Sequence, residues 1–379
     1  MSCVDKLNRL HLFSSRSITT ARPSVAPIAT SPLAGLGGYD FPRAGCNIYI
    51  PNPFGPKLLR DSTVKLVRFQ QKTGESSIGV MTGADHVTEM TGVKSSAEPL
   101  LDFLKDPKAE SKAQLAEDSA KKHFDAGKQN EKGYWNLDSV TVLPPIAHPT
   151  KIICMGGNFS DHLAEGSSFL PPFPISFLKS PTSLVGHRAP VIYPRRVKLL
   201  DYEVELATVI GKKCKDVSRE DALQYVAGFS VFNDISARDI QFAEMKRGFC
   251  NLGKNFDTFG PMGPCLVTPD SAGNPDNLGM ELRVNGQVRQ LSSTKNMVFK
   301  VRELVEFFSS MTLEPGDVIT SGTPSGVAIY RKPDKEPFLL RPGDGIEAKV
   351  ENLGRLQNTV VDASRAQGAP ELLKSRNQT

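Results

Sequence analysis

Apolar and polar positions alternate in short runs over most of the chain, and helical spacing is confined to a few segments. VKLVRF and SSIGVMT flank the polar, glycine-containing QKTGE, which predicts a strand pair. Residues 98–133 set weakly apolar positions at helical spacing in a strongly charged background, with Gly127 and Gly133 to end the stretch. Beyond VTVLPPIAHP, β-branched runs recur: KIICMG, DYEVELATVIG, AGFSVFND, ELRVNGQV, DVITSG and GIEAKVENLG. Asn285-Gly286 within RVNGQV has the chemistry of a two-residue hairpin turn. Only SREDALQYV, with Ser218 as its cap and Glu220 in the first turn, and KVRELVEFFSSM read as helices there. Many short strands with few helices predict an α+β, mainly β catalytic body, preceded by a small N-terminal domain.

The first thirty residues break this texture. Lys6, Arg9, Arg16 and Arg22 stand against the single acid Asp5 in a Ser/Thr-rich stretch, and Leu7, Leu10, Leu12 and Phe13 can form a short apolar face. That is the composition of a mitochondrial transit peptide, without the continuous apolar centre of a secretory signal. Most of the net charge of +5 lies in this segment, so the body is nearly neutral and its basicity points to no nucleic-acid partner. No run approaches the roughly 20 apolar residues of a membrane span, so no membrane partner is expected. The organisation read from these features is a transit peptide at 1–30 and a linker with a small N-terminal domain at 31–145. A catalytic domain follows at 146–362, then a polar tail at 363–379. Six scattered cysteines without a C-x-x-C pair fit reduced, mostly buried thiols and a reducing compartment.

Five segments carry candidate chemistry. In DYEVELATVIG, strand alternation puts Asp201, Glu203 and Glu205 on one face and Tyr202, Val204 and Leu206 on the other. Three carboxylates on one face of an apolar strand repel each other unless a positive group sits among them, and a hard cation such as Mg²⁺, Mn²⁺ or Ca²⁺ would serve. In AGFSVFNDISARDIQ, Asp234 ends an apolar strand, where it can be a third ligand or a cap, and Arg238 can pair with Asp239. In NLGKNFDTFGPMGP, Lys254 has no balancing acid nearby but Asp257, and could neutralise a substrate carboxylate or an enolate oxygen. In GGNFSDHLAEG, His162 and Glu165 meet on one helical turn between glycines, as a carboxylate-oriented base on a lid. GDVITSGTPSGVA offers hydroxyls and backbone N–H groups to a carboxylate, and lacks the G-K-[ST] of a phosphate loop.

Taken in this order, E-V-E, N-D-I-S-A-R-D, G-K-N-F-D-T and S-G-T-P-S-G-V resemble the fumarylacetoacetate hydrolase family over about residues 147–361. The VRFQ strand, the MVFK segment and TPSGVAIYRKPDKEPFLLRPGD are most similar to its domain-containing protein 2 group. The resemblance implies a mixed β-roll with the metal site at one end and a homodimer. It implies Glu203, Glu205 and Asp234 as ligands of Mg²⁺ or Mn²⁺, with Asp201 beside them. It carries the active-site lysine onto Lys254, the lid pair onto His162 and Glu165, and substrate-holding positions onto Gln241 and Thr323. The reaction it implies is oxaloacetate keto–enol tautomerisation through an enolate, in the mitochondrion. Acylpyruvate hydrolysis or oxaloacetate decarboxylation on the same site, and a non-enzymatic metal- or metabolite-binding protein, are the competing expectations.

Overall fold

In the computed structural model, residues 64–365 are described except 84, 91–95, 126–132 and 167; the expected transit peptide, the start of the expected linker and N-terminal domain, and the chain from 366 lie outside the described residues. A mixed sheet of twelve strands carries the fold. Its middle runs through Lys65–Gln70, Gly260–Val267, Val226–Asn233, Val204–Ile210, Val318–Thr320 and Ile152–Gly156, with Ile175–Lys179 at one edge. A second sheet of five strands orders Gln287–Ser293, Gly279–Val284, Gly345–Val350, Gly354–Asp362 and Pro190–Tyr193.

Every residue of Val204–Ile210 is buried, which is why this strand is nearly continuously apolar in sequence. Val204, Leu206, Phe229 and Val231 pack with Leu282, Ile346 and Leu356 of the second sheet. Ala207, Val209 and Phe232 pack with Leu266, Ile152 and, from the helix Pro99–Leu104, Leu100 and Phe103. Each such buried apolar side chain contributes about 1.5–3 kcal/mol, and Leu100→Ala would cost about 2–5 kcal/mol.

The sequence-predicted strand pair forms as Lys65–Gln70 against Ser76–Thr82. The segment 64–145, expected to form a small domain, adds its strands to the same sheet, since Lys65 and Leu66 lie opposite Val267 and Leu266. Asn285 (φ 51°) and Gly286 (φ 76°) make the hairpin turn in left-handed conformations that suit these residue types. KVRELVEFFSSM forms the helix Val301–Phe308, started by the Glu303 carboxylate accepting the Lys300 backbone N–H. SREDALQYV does not form a regular α-helix. Ser218 Oγ does accept the Asp221 N–H, but only Ala222–Tyr225 winds, as a short 3₁₀ turn, because the next residue enters the strand Val226–Asn233.

Candidate metal centre and active site

Antiparallel register brings the acids together. Val204 lies opposite Asn233, so the residues just outside that pair, Glu203 and Asp234, meet at the end of the sheet. The Asp234 N–H donates to Glu203 O at 2.9 Å, and the Glu203 N–H donates to Asn233 Oδ1 at 2.9 Å. Ligand atoms of Glu203, Glu205 and Asp234 lie within 4.8 Å of one another, and all three residues are buried.

Three cations face them. Lys254, on the short helix Leu252–Asn255, donates from Nζ to Glu203 Oε2 at 2.6 Å and to Asp234 Oδ2 at 2.7 Å. These acids, not Asp257, balance its charge. Lys179, at the end of the edge strand, is fully buried; its Nζ stands 2.8 Å from Asp234 Oδ1 and donates to Phe259 O at 3.0 Å and to Lys254 O. Arg238 donates through Nε to Asp201 Oδ2 at 2.8 Å, through Nη2 to Glu203 Oε1 at 2.5 Å and through Nη1 to Gln241 Oε1 at 3.0 Å. The expected Arg238–Asp239 pair does not form: Asp239 accepts the backbone N–H of Lys198 at 3.0 Å and Leu199 at 3.4 Å, leaving Arg238 to the buried acids.

Asp201 explains why three strand-face acids yield only two members of the cluster. The strand is interrupted after Asp201, which pairs instead with Ser236. Its carboxylate accepts the N–H groups of Tyr202, Ala328 and Ile329 besides Arg238, so its oxygens are committed to holding the turn after Thr323.

Four buried carboxylates face three buried cations, and among the described residues Glu205 is the one of the four without an ion pair. Its Oε2 accepts the Gly322 N–H at 3.2 Å and its Oε1 has no partner. Burial, and then Asp234 and Glu203, push the Glu205 carboxyl well above its ordinary range. At Glu203 burial works the same way but is outweighed by Arg238 and Lys254, which hold that carboxyl down at about 2. An unpartnered buried carboxylate oxygen beside two more carboxylates fits a hard divalent cation bound through oxygen. Burial opposes the charge on Lys254, but Asp234 and Glu203 outweigh it and raise the ammonium above the usual lysine range.

The helix Ser160–Glu165 carries His162 and Glu165, the pair expected on a lid. His162 Nδ1 lies 3.6 Å from Glu165 Oε2, beyond a direct hydrogen bond, and has no other partner. Both Glu165 oxygens instead accept the Gly326 N–H, each at 3.0 Å. Gly326 has φ +104°, and a Cβ there would lie 2.3 Å from Arg289 O, so this anchoring turn requires glycine. Gln241 and Thr323, expected to hold substrate, are both buried. Thr323 Oγ1 donates to Val204 O at 3.1 Å and accepts from Gln290 Nε2 at 2.8 Å; Gln241 Nε2 has only Cys250 Sγ, at 3.9 Å. Lys179 and Gln290 were missed from sequence. A lysine closing the apolar run ISFLK was the available signal for Lys179; for Gln290 there was none.

The family model described as fumarylacetoacetate hydrolase, C-terminal, matches residues 151–361. The mitochondrial oxaloacetate tautomerases Fahd2a of Rattus norvegicus and FAHD2A of Homo sapiens are each 46% identical over 223 residues, covering 59% of this chain and 70% of theirs. Among solved structures, the fumarylacetoacetate hydrolase of Exiguobacterium antarcticum is 34% identical with a TM-score of 0.62, covering 79% of this chain and 100% of that one. The 5-carboxymethyl-2-hydroxymuconate delta-isomerase of Mycobacterium smegmatis is 32% identical with a TM-score of 0.59, covering 79% of this chain and 99% of that one. The names of the curated relatives agree with a mitochondrial localisation for this chain. Since the matched region spans the carboxylate cluster, Lys254 and the lid pair, the chain is an enzyme and belongs to the fumarylacetoacetate hydrolase family.

Proposed function

We propose that the chain is a divalent-metal-dependent isomerase of 2-oxo acids, with oxaloacetate keto–enol tautomerisation as its reaction. The observation that carries this is the buried cluster of Glu203, Glu205 and Asp234 with the Lys254 ammonium 2.6 and 2.7 Å from two of its members. Relatives named oxaloacetate tautomerases support the choice of substrate. Mg²⁺ or Mn²⁺ held by the three carboxylates would supply Lewis-acid polarisation of the 2-oxo group.

The chain's own residues divide the remaining work. Lys254, kept as an ammonium by its acids, places positive charge where the enolate oxygen develops and is a poor base there. The proton at C3 therefore falls to the His162 imidazole, whose Nδ1 stands 3.6 Å from Glu165 Oε2. Arg238 holds Glu203 and Gln241 in place. Gln241, whose Nε2 lacks a strong acceptor, is the better placed of the two substrate-holding candidates.

The 3.6 Å gap between His162 and Glu165, and the unpartnered Nδ1, favour a second reading in which the pair activates a water for acylpyruvate hydrolysis. Oxaloacetate decarboxylation on the same centre is tested alongside it. The full chain with Mg²⁺ or Mn²⁺ is given enol-oxaloacetate while ultraviolet absorbance and pyruvate are followed together. Fast, chelator-sensitive loss of the enol without pyruvate supports the tautomerase. Pyruvate formed at the same rate identifies a decarboxylase, and acceleration of neither turns the reading to acylpyruvates.

A further inference from the structure

Arg289 and Arg331 make none of the ion pairs of the carboxylate–lysine centre, and no step above uses them. Arg289 is on the strand Gln287–Ser293, and Arg331 follows the turn Ala328–Tyr330. Both guanidiniums face one ring, with their central carbons 4.8 and 5.2 Å from the Phe338 centroid. Stacking occupies the faces of a guanidinium and leaves its in-plane N–H groups to be satisfied. Arg331 uses Nη2, which donates to Gly326 O at 3.1 Å and to Arg289 O. The Nε–H groups of both residues are buried and have no acceptor.

Nearby acids do not answer the charge. Glu336 pairs with Arg341 at 2.7 Å, and the Asp334 carboxylate accepts the Glu336 N–H at 3.0 Å. Among the described residues neither guanidinium has a carboxylate within 4.0 Å. Two half-buried like charges around one ring repel each other unless an anion joins them. Tyr202 stands in the same field: both guanidiniums oppose the effect of burial on its hydroxyl, which donates to Gly326 O at 3.4 Å.

We propose that Arg289 and Arg331, with the Gly326 turn between them, form a binding site for a small oxyanion, a carboxylate or a phosphate, distinct from the Glu203–Glu205–Asp234 centre. A planar fork of N–H donors suits either group. The site is coupled to the helix that carries His162 and Glu165 through one residue, because the Gly326 carbonyl accepts from Arg331 while its N–H is held by Glu165. An ion seated on the arginines holds the Gly326 carbonyl and, through the backbone of that residue, the N–H on which Glu165 is anchored.

The test uses the chelator-treated full chain, melted in rising inorganic phosphate or malonate with sodium chloride adjusted to constant ionic strength. The wild type is expected to show a rise of about 5 °C at a hundredfold excess over Kd that grows with the logarithm of anion concentration, and Arg289→Met to show none. Arg289→Lys, which keeps the charge without the fork, is expected to need at least tenfold more anion, and stands in if Arg289→Met fails to fold. An onset of the rise at lower phosphate than malonate assigns a phosphoryl ligand; the reverse order assigns an organic acid. An equal rise in the wild type and both variants, or no rise beyond sodium chloride in the wild type, overturns the proposal.

Discussion

Arg238→Met removes the cation that ties Asp201 to Glu203. Arg238 is 5% exposed and its three hydrogen bonds end on buried groups. Breaking a buried pair from one side costs about 3–5 kcal/mol, since the abandoned carboxylates stay buried. The Glu203 carboxyl supplies a second route to the magnitude. Holding it at about 2 against an ordinary 4.5 corresponds to about 3 kcal/mol, with burial outweighed by the charge of Arg238 and by the charge and hydrogen bond of Lys254. Because this carboxyl is depressed in the folded state, its stabilisation is complete above about pH 4.5 and is lost as pH falls through about 2. Urea unfolding of chelator-treated wild type and variant is therefore expected to differ by about 3 kcal/mol at pH 7, with the gap narrowing steadily below pH 4.5. Arg238→Met with Asp201→Asn should recover part of the loss, as expected for groups in contact. A gap under about 1 kcal/mol at pH 7, or one that stays constant down to pH 3, would refute the electrostatic account and leave only lost packing of the arginine stem.

Further outcomes follow from the same site. Glu205 has the opposite sign: its carboxyl is raised in the folded state, so its contribution is present below about pH 4.5 and lost as pH rises through the folded value. Chelator-treated wild type should then lose stability with rising pH more steeply than Glu205→Gln, and Mg²⁺ or Mn²⁺ should remove the difference; equal slopes would count against the assignment of Glu205. Lys179→Met, which frees Asp234 and the Lys254 carbonyl, is expected to lower kcat by about 100-fold, as misplacement of a reacting group does, and to weaken Mn²⁺ binding by calorimetry. Values of both within twofold of wild type would show that Lys179 merely fills space. The homodimer implied by the family is expected to cover Phe169, Phe173 and the edge-strand residue Leu178, which are 96%, 55% and 58% exposed. Sedimentation should then give a dimer for the wild type and a monomer for Leu178→Lys, and a monomeric wild type would rule it out.

How far the site was legible in the sequence depends on the range over which each interaction acts. Strand alternation is local, so the apolar run through Val209 and the acids at Glu203 and Glu205 were readable, as was the hairpin at Asn285-Gly286. Helical spacing puts His162 and Glu165 on one turn, but spacing could not show that Gly326, 161 residues away, takes the carboxylate. Arg238 was assigned to its neighbour Asp239, the natural choice when only sequence distance is visible. The folded chain instead offers it two buried carboxylates 35 and 37 positions upstream, where an unpaired charge would be far more costly than on a surface turn. Lys179 makes the same point, since its partners lie 55 to 80 residues away and its burial comes only from the closure of the edge strand over Lys254. Local pattern therefore identifies which residues carry charge into the core. Their partners are chosen by sheet register, and in this chain that choice separates Asp201, which braces a turn, from Glu203 and Glu205, which face the cluster.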